Sequence, residues 1–160
     1  MTKSNKPVKR NINLVVFSHE HHHALLFCSR LKMANHASEQ ILKRYVNDFW
    51  KHHPLAHFER EETYFLPLMS EHPHKQQFLN EHKQIKSLAR LIVESNISVY
   101  DLVSQFGKLL TGHIRFEERL MFPWLEQILK EDELEAIGKV LSQIKAESHH
   151  FHPEFWNGEK

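Results

Sequence analysis

The sequence predicts an all-α protein, an antiparallel up-down four-helix bundle with a short extra helix towards its C-terminal end. Three observations carry this expectation. Only four Gly and six Pro interrupt 160 residues. Apolar residues recur at three- and four-residue steps, with no sustained alternation of apolar and polar positions. The chain also repeats itself: His57-Phe58-Glu59-Arg60-Glu61-Glu62, ending at Leu66-Pro67, returns 56 residues on as His113-Ile114-Arg115-Phe116-Glu117-Glu118, ending at Phe122-Pro123. With 41% hydrophobic and 26% charged residues, the length suits one domain with its own core.

Residues 1–13 read as a disordered tail, 14–146 as the bundle and 147–160 as a loosely ordered tail. The first helix runs from about Leu14 to Ala34, with His21, Ala24, Leu25, Cys28 and Leu31 on one face. Asn35-His36-Ala37-Ser38 ends it, and Ser38 is the expected N-cap of the second. That helix turns Leu42, Tyr45, Phe49, His57, Glu61, Tyr64 and Leu68 inward, and Pro54 should bend it just before the motif. After a loop at residues 70–74, Phe78, His82, Ile85, Ala89 and Ile92 mark a third core-facing helix. Ser98 with Asp101 resembles a reduced capping box opening the fourth, whose stripe is Phe106, Leu109, His113, Glu117, Leu120, Trp124 and Ile128. Asp132 to Ile144 supplies the short extra helix.

The repeat carries the chemistry. Residues four apart on a helix lie one above the other, so His57 with Glu61, and His113 with Glu117, each offer a nitrogen and a carboxylate oxygen from one face. Glu20-His21 and Glu81-His82 precede the two motifs, so each half is a helix with one inward His followed by a helix with His-x-x-x-Glu. Both glutamates share stripes with large apolar residues, where a carboxylate must be paired, protonated or bound to metal. The candidate metal ligands are therefore His21, His57, Glu61, His82, His113 and Glu117. His22 is the alternative to His21 on the first helix, and no catalytic residue is assigned. Glu62 and Glu118 lie further round their helices, suited to orienting ligands or forming ion pairs. Glu20 and Glu81 read as solvated, and His36, His52, His72, His74 and the tail histidines as surface groups. Imidazole and carboxylate without thiolate suit iron, manganese or zinc. Six donors exceed the needs of one tetrahedral zinc, so two metals sharing the carboxylates, iron first, fit best.

The bulk properties exclude other classes. Lys and Arg exceed Asp and Glu by one, so no basic field recommends nucleic acid or an anionic membrane, and the N-terminal Lys3, Lys6, Lys9 and Arg10 read as a solvated leader. No transmembrane run or signal-peptide pattern is visible, which makes cytoplasmic the expected location. The single Cys28 excludes an internal disulfide and reads as a small buried hydrophobe.

These residues resemble the hemerythrin-like family of HHE cation-binding domains over about residues 14–128. The likeness rests on His21, on His57 to Pro67, on Glu81-His82 and on His113 to Glu118. It implies an antiparallel four-helix bundle around a non-haem di-iron centre, often oxo- or hydroxo-bridged, that binds dioxygen or reacts with oxygen species. The oxygen-carrying hemerythrins it resembles have a second His one turn before the helix-three His, and His-x-x-x-x-Asp on helix four; this chain has Phe78 and Glu117. The expected function is accordingly sensing, binding or handling of iron, dioxygen or nitric oxide. Detoxification of peroxide or nitric oxide by a redox enzyme is the alternative. A metal-free interaction domain, with a dimer as one form, is the contrasting reading. Without metal, the four histidines are expected to repel one another when protonated below about pH 6.

Overall fold

The computed structural model describes residues 9–70, 72–144 and 150–159, and every regular element among them is helical. Helix α1 spans Val15–Leu31. The Ser38 hydroxyl accepts the Ile41 N–H at 3.2 Å and opens α2, Glu39–His52. Pro54 does more than bend the next segment: His53 leaves helical geometry (φ −126°, ψ −73°) and Pro54 starts a separate helix α3, Pro54–Met69. A proline without N–H disfavours the helical conformation of the residue before it and suits a first helical position. Helix α4 is Pro73–Glu94. Helix α5, Tyr100–Phe116, passes through a π-helical turn, Glu117–Met121, into α6, Phe122–Ile128, and α7 is Glu131–Ser142. The expected Ser98–Asp101 cap is replaced by a tertiary bond, because α5 begins one residue after Val99, whose N–H donates to Glu39 Oε1 at 3.3 Å.

Two apolar clusters lie on either side of a polar layer. One gathers Phe27, Tyr45, Phe49, Phe58, Ile85, Phe106 and Ile114; the other gathers Phe17, Phe65, Phe78, Phe116, Met121 and Phe122. In α1 the chain runs from Phe17 of the second cluster past His21 to Phe27 of the first. It returns through Phe49, His57, Glu61 and Phe65, crosses back through Phe78, His82 and Ile85, and returns again through Phe106, His113, Glu117 and Met121. Each passage carries buried donors into the same layer, in alternating directions.

The buried stripes slip by one residue after each motif glutamate. In α3, Phe65 and Met69 are buried and the expected Tyr64 and Leu68 only partly so. After Glu117, Met121, Leu125 and Leu129 are buried, whereas Leu120 and Ile128 are 53% and 45% exposed and Trp124 is half-buried. A π turn accommodates one extra residue, so every later side chain rotates to the position of its predecessor on a regular helix. In α5 itself, Leu110 rather than Leu109 is the fully buried leucine, and in α1 Phe27 is buried where Leu25 was expected.

The described parts of both predicted tails are packed. Arg10, Asn11 and the 3₁₀ turn Ile12–Leu14 fold against the rod of α5 and α6. Arg10 donates to the Glu118 carbonyl at 2.6 Å, to Glu118 Oε2 at 3.0 Å and to Glu126 Oε1 at 3.0 Å, and Leu14 is fully buried. Gly138 of α7 lets this turn approach so closely that a Cβ there would strike the Asn13 side chain. Lys3 and Lys6 lie outside the described residues. At the other end, Phe155 is fully buried against Tyr45, Phe151 and Trp156 also stack on Tyr45, and Arg30 and Arg44 lie over Trp156 and Phe151. Aromatic burial there outweighs the polar look of the segment. No helix among the described residues is long and apolar enough to cross a membrane.

The slipped register gives a direct test. Leu120→Asp should alter stability by no more than about 0.5 kcal/mol, whereas Met121→Asp should cost more than about 3 kcal/mol, as read by urea unfolding. The reverse order of the two costs would place Leu120, not Met121, in the core.

Candidate metal centre

All six predicted donors are buried and converge in the polar layer. His21, His57, His82 and His113 are no more than 5% exposed, and Glu61 and Glu117 are fully enclosed. His22 is exposed, so α1 contributes His21. The donor atoms form two groups, His21, His57, Glu61 and Glu117 on one side and Glu61, His82, His113 and Glu117 on the other, with the atoms of each group within 4.8 Å of one another. Each glutamate spans both. Glu61 turns Oε1 to His57 and, at 3.8 Å, to His21, while its Oε2 lies 3.9 Å from His82. Glu117 turns Oε1 to His113 and, at 3.6 Å, to His82, while its Oε2 lies 3.2 Å from His21.

Around these donors runs a second set of carboxylates, one for each imidazole. His57 Nδ1 donates to Glu20 at 2.5 Å, His82 Nδ1 to Glu62 at 2.9 Å, His113 Nδ1 to Glu81 at 3.0 Å and His21 Nδ1 to Glu118 at 2.7 Å. The contacts close a circuit. Glu20 of α1 orients His57 of α3, Glu62 of α3 orients His82 of α4, Glu81 of α4 orients His113 of α5, and Glu118 of the π turn orients His21 of α1. Each orienting residue is the sequence neighbour of a central donor, about 100° round the helix and so facing the adjacent helix. The expected orienting role of Glu62 and Glu118 matches this geometry; the solvated reading of Glu20 and Glu81 is corrected by it. Their signal was present in the repeated Glu-His pair, but its use requires knowing which helix stands beside which.

With Nδ1 committed to a carboxylate, each ring turns Nε2 towards the centre. Among the described residues, eight buried side-chain polar atoms lack a hydrogen-bond partner, and six of them belong to Glu61, Glu117, His82 and His113. These atoms face one another as ion pairs without hydrogen-bond geometry, and a shared cation would satisfy carboxylate oxygens and imidazole nitrogens together. The donor set therefore fits metal, with each half offering two nitrogens and an oxygen from each of two carboxylates. Phe58 stacks on His82 at 3.9 Å between ring centres, Phe78 lies 4.1 Å from His82, and Phe122 stacks on His21 at 5.5 Å, so aromatic walls hold the rings.

The sequence pattern of the hemerythrin HHE cation-binding domain matches residues 12–125, and a second overlapping match covers 76–155. The chain belongs to this family. No curated protein and no solved structure matched it. In this hemerythrin-family chain Phe78 stands one turn before His82 and adds an apolar wall rather than a donor.

At His21, His57 and His113 the neighbouring carboxylates outweigh both burial and the mutual repulsion of the rings. Burial opposes a charge on His113, but Glu117, Glu81 and Glu61 outweigh it and raise its pKa to about 9. His21 and His57 also move upward, against burial, through Glu117, Glu118 and Glu61 for the first and Glu61 and Glu20 for the second. Burial likewise opposes ionisation of Glu20, Glu62 and Glu118, yet the hydrogen bonds from His57, His82 and His21, backed by Arg60, Lys86 and Arg10, bring all three below the ordinary carboxylate range. Six carboxylates thus face four imidazoles.

A group whose folded pKa is raised adds stability that is complete below its unfolded pKa and vanishes as pH rises through the folded one. For His113 this window runs from 6.5 to about 9. Calorimetry on metal-free protein should accordingly show the unfolding temperature falling across that range. In His113→Gln the same rise in pH should produce a smaller fall.

Proposed function

We propose that the chain is a non-haem di-iron protein of the hemerythrin family that senses, binds or handles dioxygen, nitric oxide or iron. On this reading His21, His57, Glu61, His82, His113 and Glu117 are the ligands. The observation that carries it is the pair of fully buried carboxylates, each presenting one oxygen to each half of the centre. Two imidazoles and one oxygen from each carboxylate would give each ion four protein donors, fewer than the six that iron commonly takes, so a small molecule could also bind. When bound, the metal pair would supply Lewis acidity and electrons to such a molecule. Manganese or zinc in the same donors is the competing occupancy. A cytoplasmic location and an antiparallel up-down four-helix topology belong to this proposal, the latter supported by the alternating passage of the chain between its two apolar clusters.

The residues of the centre divide the work. Glu61 and Glu117 would offset the charge of the cations. The four imidazoles add neutral nitrogen donors whose orientation is fixed by Glu20, Glu62, Glu81 and Glu118. Phe58 and Phe78 pack on His82, and Phe122 packs on one face of His21, which holds these rings in place.

Protein produced in iron-supplemented medium should contain about two irons per chain and show ligand-to-iron charge-transfer bands that shift with azide. In His57→Ala the iron content should fall. A single zinc, or iron content indifferent to this substitution, would overturn the reading. Sustained consumption of peroxide or nitric oxide would instead make the protein a redox enzyme.

The orienting carboxylates can be weighed separately. Glu20→Gln and Glu118→Gln keep the size of the side chain but weaken the acceptor, and each should lower metal affinity by about 10–100-fold in a competition titration against a chelator. Glu59→Gln, at an exposed position of α3, should leave it unchanged.

A further inference from the structure

A cavity of about 570 Å³ lies between α1, the α2–α3 junction and α5, with His21 and His57 in its wall. A water molecule occupies about 30 Å³ of liquid, so a diatomic ligand would leave nearly all of this space unused. The volume falls instead within the range of sites that take organic molecules, about 300–1,000 Å³. Its chemistry is divided. The enclosed part sets the buried apolar side chains Ala24, Phe58, Leu110 and Ile114 beside the buried His21 and His57 rings. Lys51, which is exposed, and Arg60, which is partly exposed, stand nearer the solvent. The carboxylate in the wall, Glu20, already accepts from His57 and from Arg60, at 2.5 and 2.6 Å from the latter. Lys51 makes no ion pair with a described residue, so among the described residues of this wall, Glu20, Lys51 and Arg60, the balance of fixed charge is positive.

We propose that this cavity binds an organic anion with an apolar body, its charged head at Lys51 and Arg60 and its body against Leu110 and Ile114. A cation would meet Lys51 and Arg60 unfavourably, and a small hydrophilic anion would leave the apolar wall uncovered. The occupant lies beside the His21 and His57 half of the centre and leaves the His82 and His113 half, covered by Phe58 and Phe78, out of reach. The site does not require metal, so its test is separate from that of the di-iron reading.

Isothermal titration of full-length, metal-free protein with octanoate reads the proposal, with octanol and octylamine as the neutral and cationic counterparts. Octanoate should bind saturably and shift the methyl resonances of Leu110 and Ile114. Octanol and octylamine should bind at least about tenfold more weakly. Lys51→Glu should weaken octanoate to a similar degree, and Ala56→Trp, at an exposed position of the cavity wall, should abolish binding while circular dichroism and the unfolding temperature stay unchanged. Absence of saturable octanoate binding overturns the proposal, as does equal binding of octylamine or undiminished binding to Ala56→Trp. Failure of the chain to hold iron would leave these titrations as they are.

Discussion

Two carboxylates that never meet water dictate the design of this protein. Glu61 and Glu117 are fully enclosed, and transferring such charges from water costs several kcal/mol each even after the surroundings relax. Compensation is built in concentric steps. Four imidazoles surround the pair, four outer carboxylates hold the imidazoles, and Arg60, Lys86 and Arg10 hold three of those carboxylates in turn. The fourth, Glu81, takes the Gln77 amide at 3.2 Å. Sign alternates outward from the centre, so no layer stands without an opposite neighbour.

The same demand divides the hydrophobic core. A continuous apolar interior would leave no place for ten polar side chains, and the structure has two aromatic-rich clusters with the polar layer between them. Phenylalanine does much of the dividing. Phe58 and Phe78 belong to different clusters yet both lie against His82, and Phe17 and Phe122 flank His57 and His21. Flat rings pack closely on imidazoles without offering a competing hydrogen bond, so they fix the donors.

The inner donors were legible in the sequence because two independent regularities agree on them. The four-residue step places His57 over Glu61 and His113 over Glu117, and the duplication places His21 and His82 at matching points. What escaped is information that one helix does not carry. Glu20 and Glu81 look solvated when their own helices are considered alone, and only the neighbouring helix gives them a partner. The π turn hides for a similar reason, since its local sequence is helix-forming throughout and the extra residue shows only in what is buried after it. Both chain ends read as polar tails because Arg10, Phe151, Phe155 and Trp156 gain their value from long-range contacts. The break at His53 was half visible, since Pro54 announces a disturbance but not its extent.

The circuit of glutamates and histidines has a bearing on how such a molecule is assembled from duplicated parts. Two of its links, Glu20 to His57 and Glu81 to His113, join residues within one half of the chain; the other two, Glu62 to His82 and Glu118 to His21, join one half to the other. A half-length segment therefore holds one complete link and satisfies only one of its two imidazoles by itself. Its surplus carboxylate and its unserved ring are complementary to those of an identical copy. Two such halves brought together close the ring, each serving the imidazole that the other leaves open.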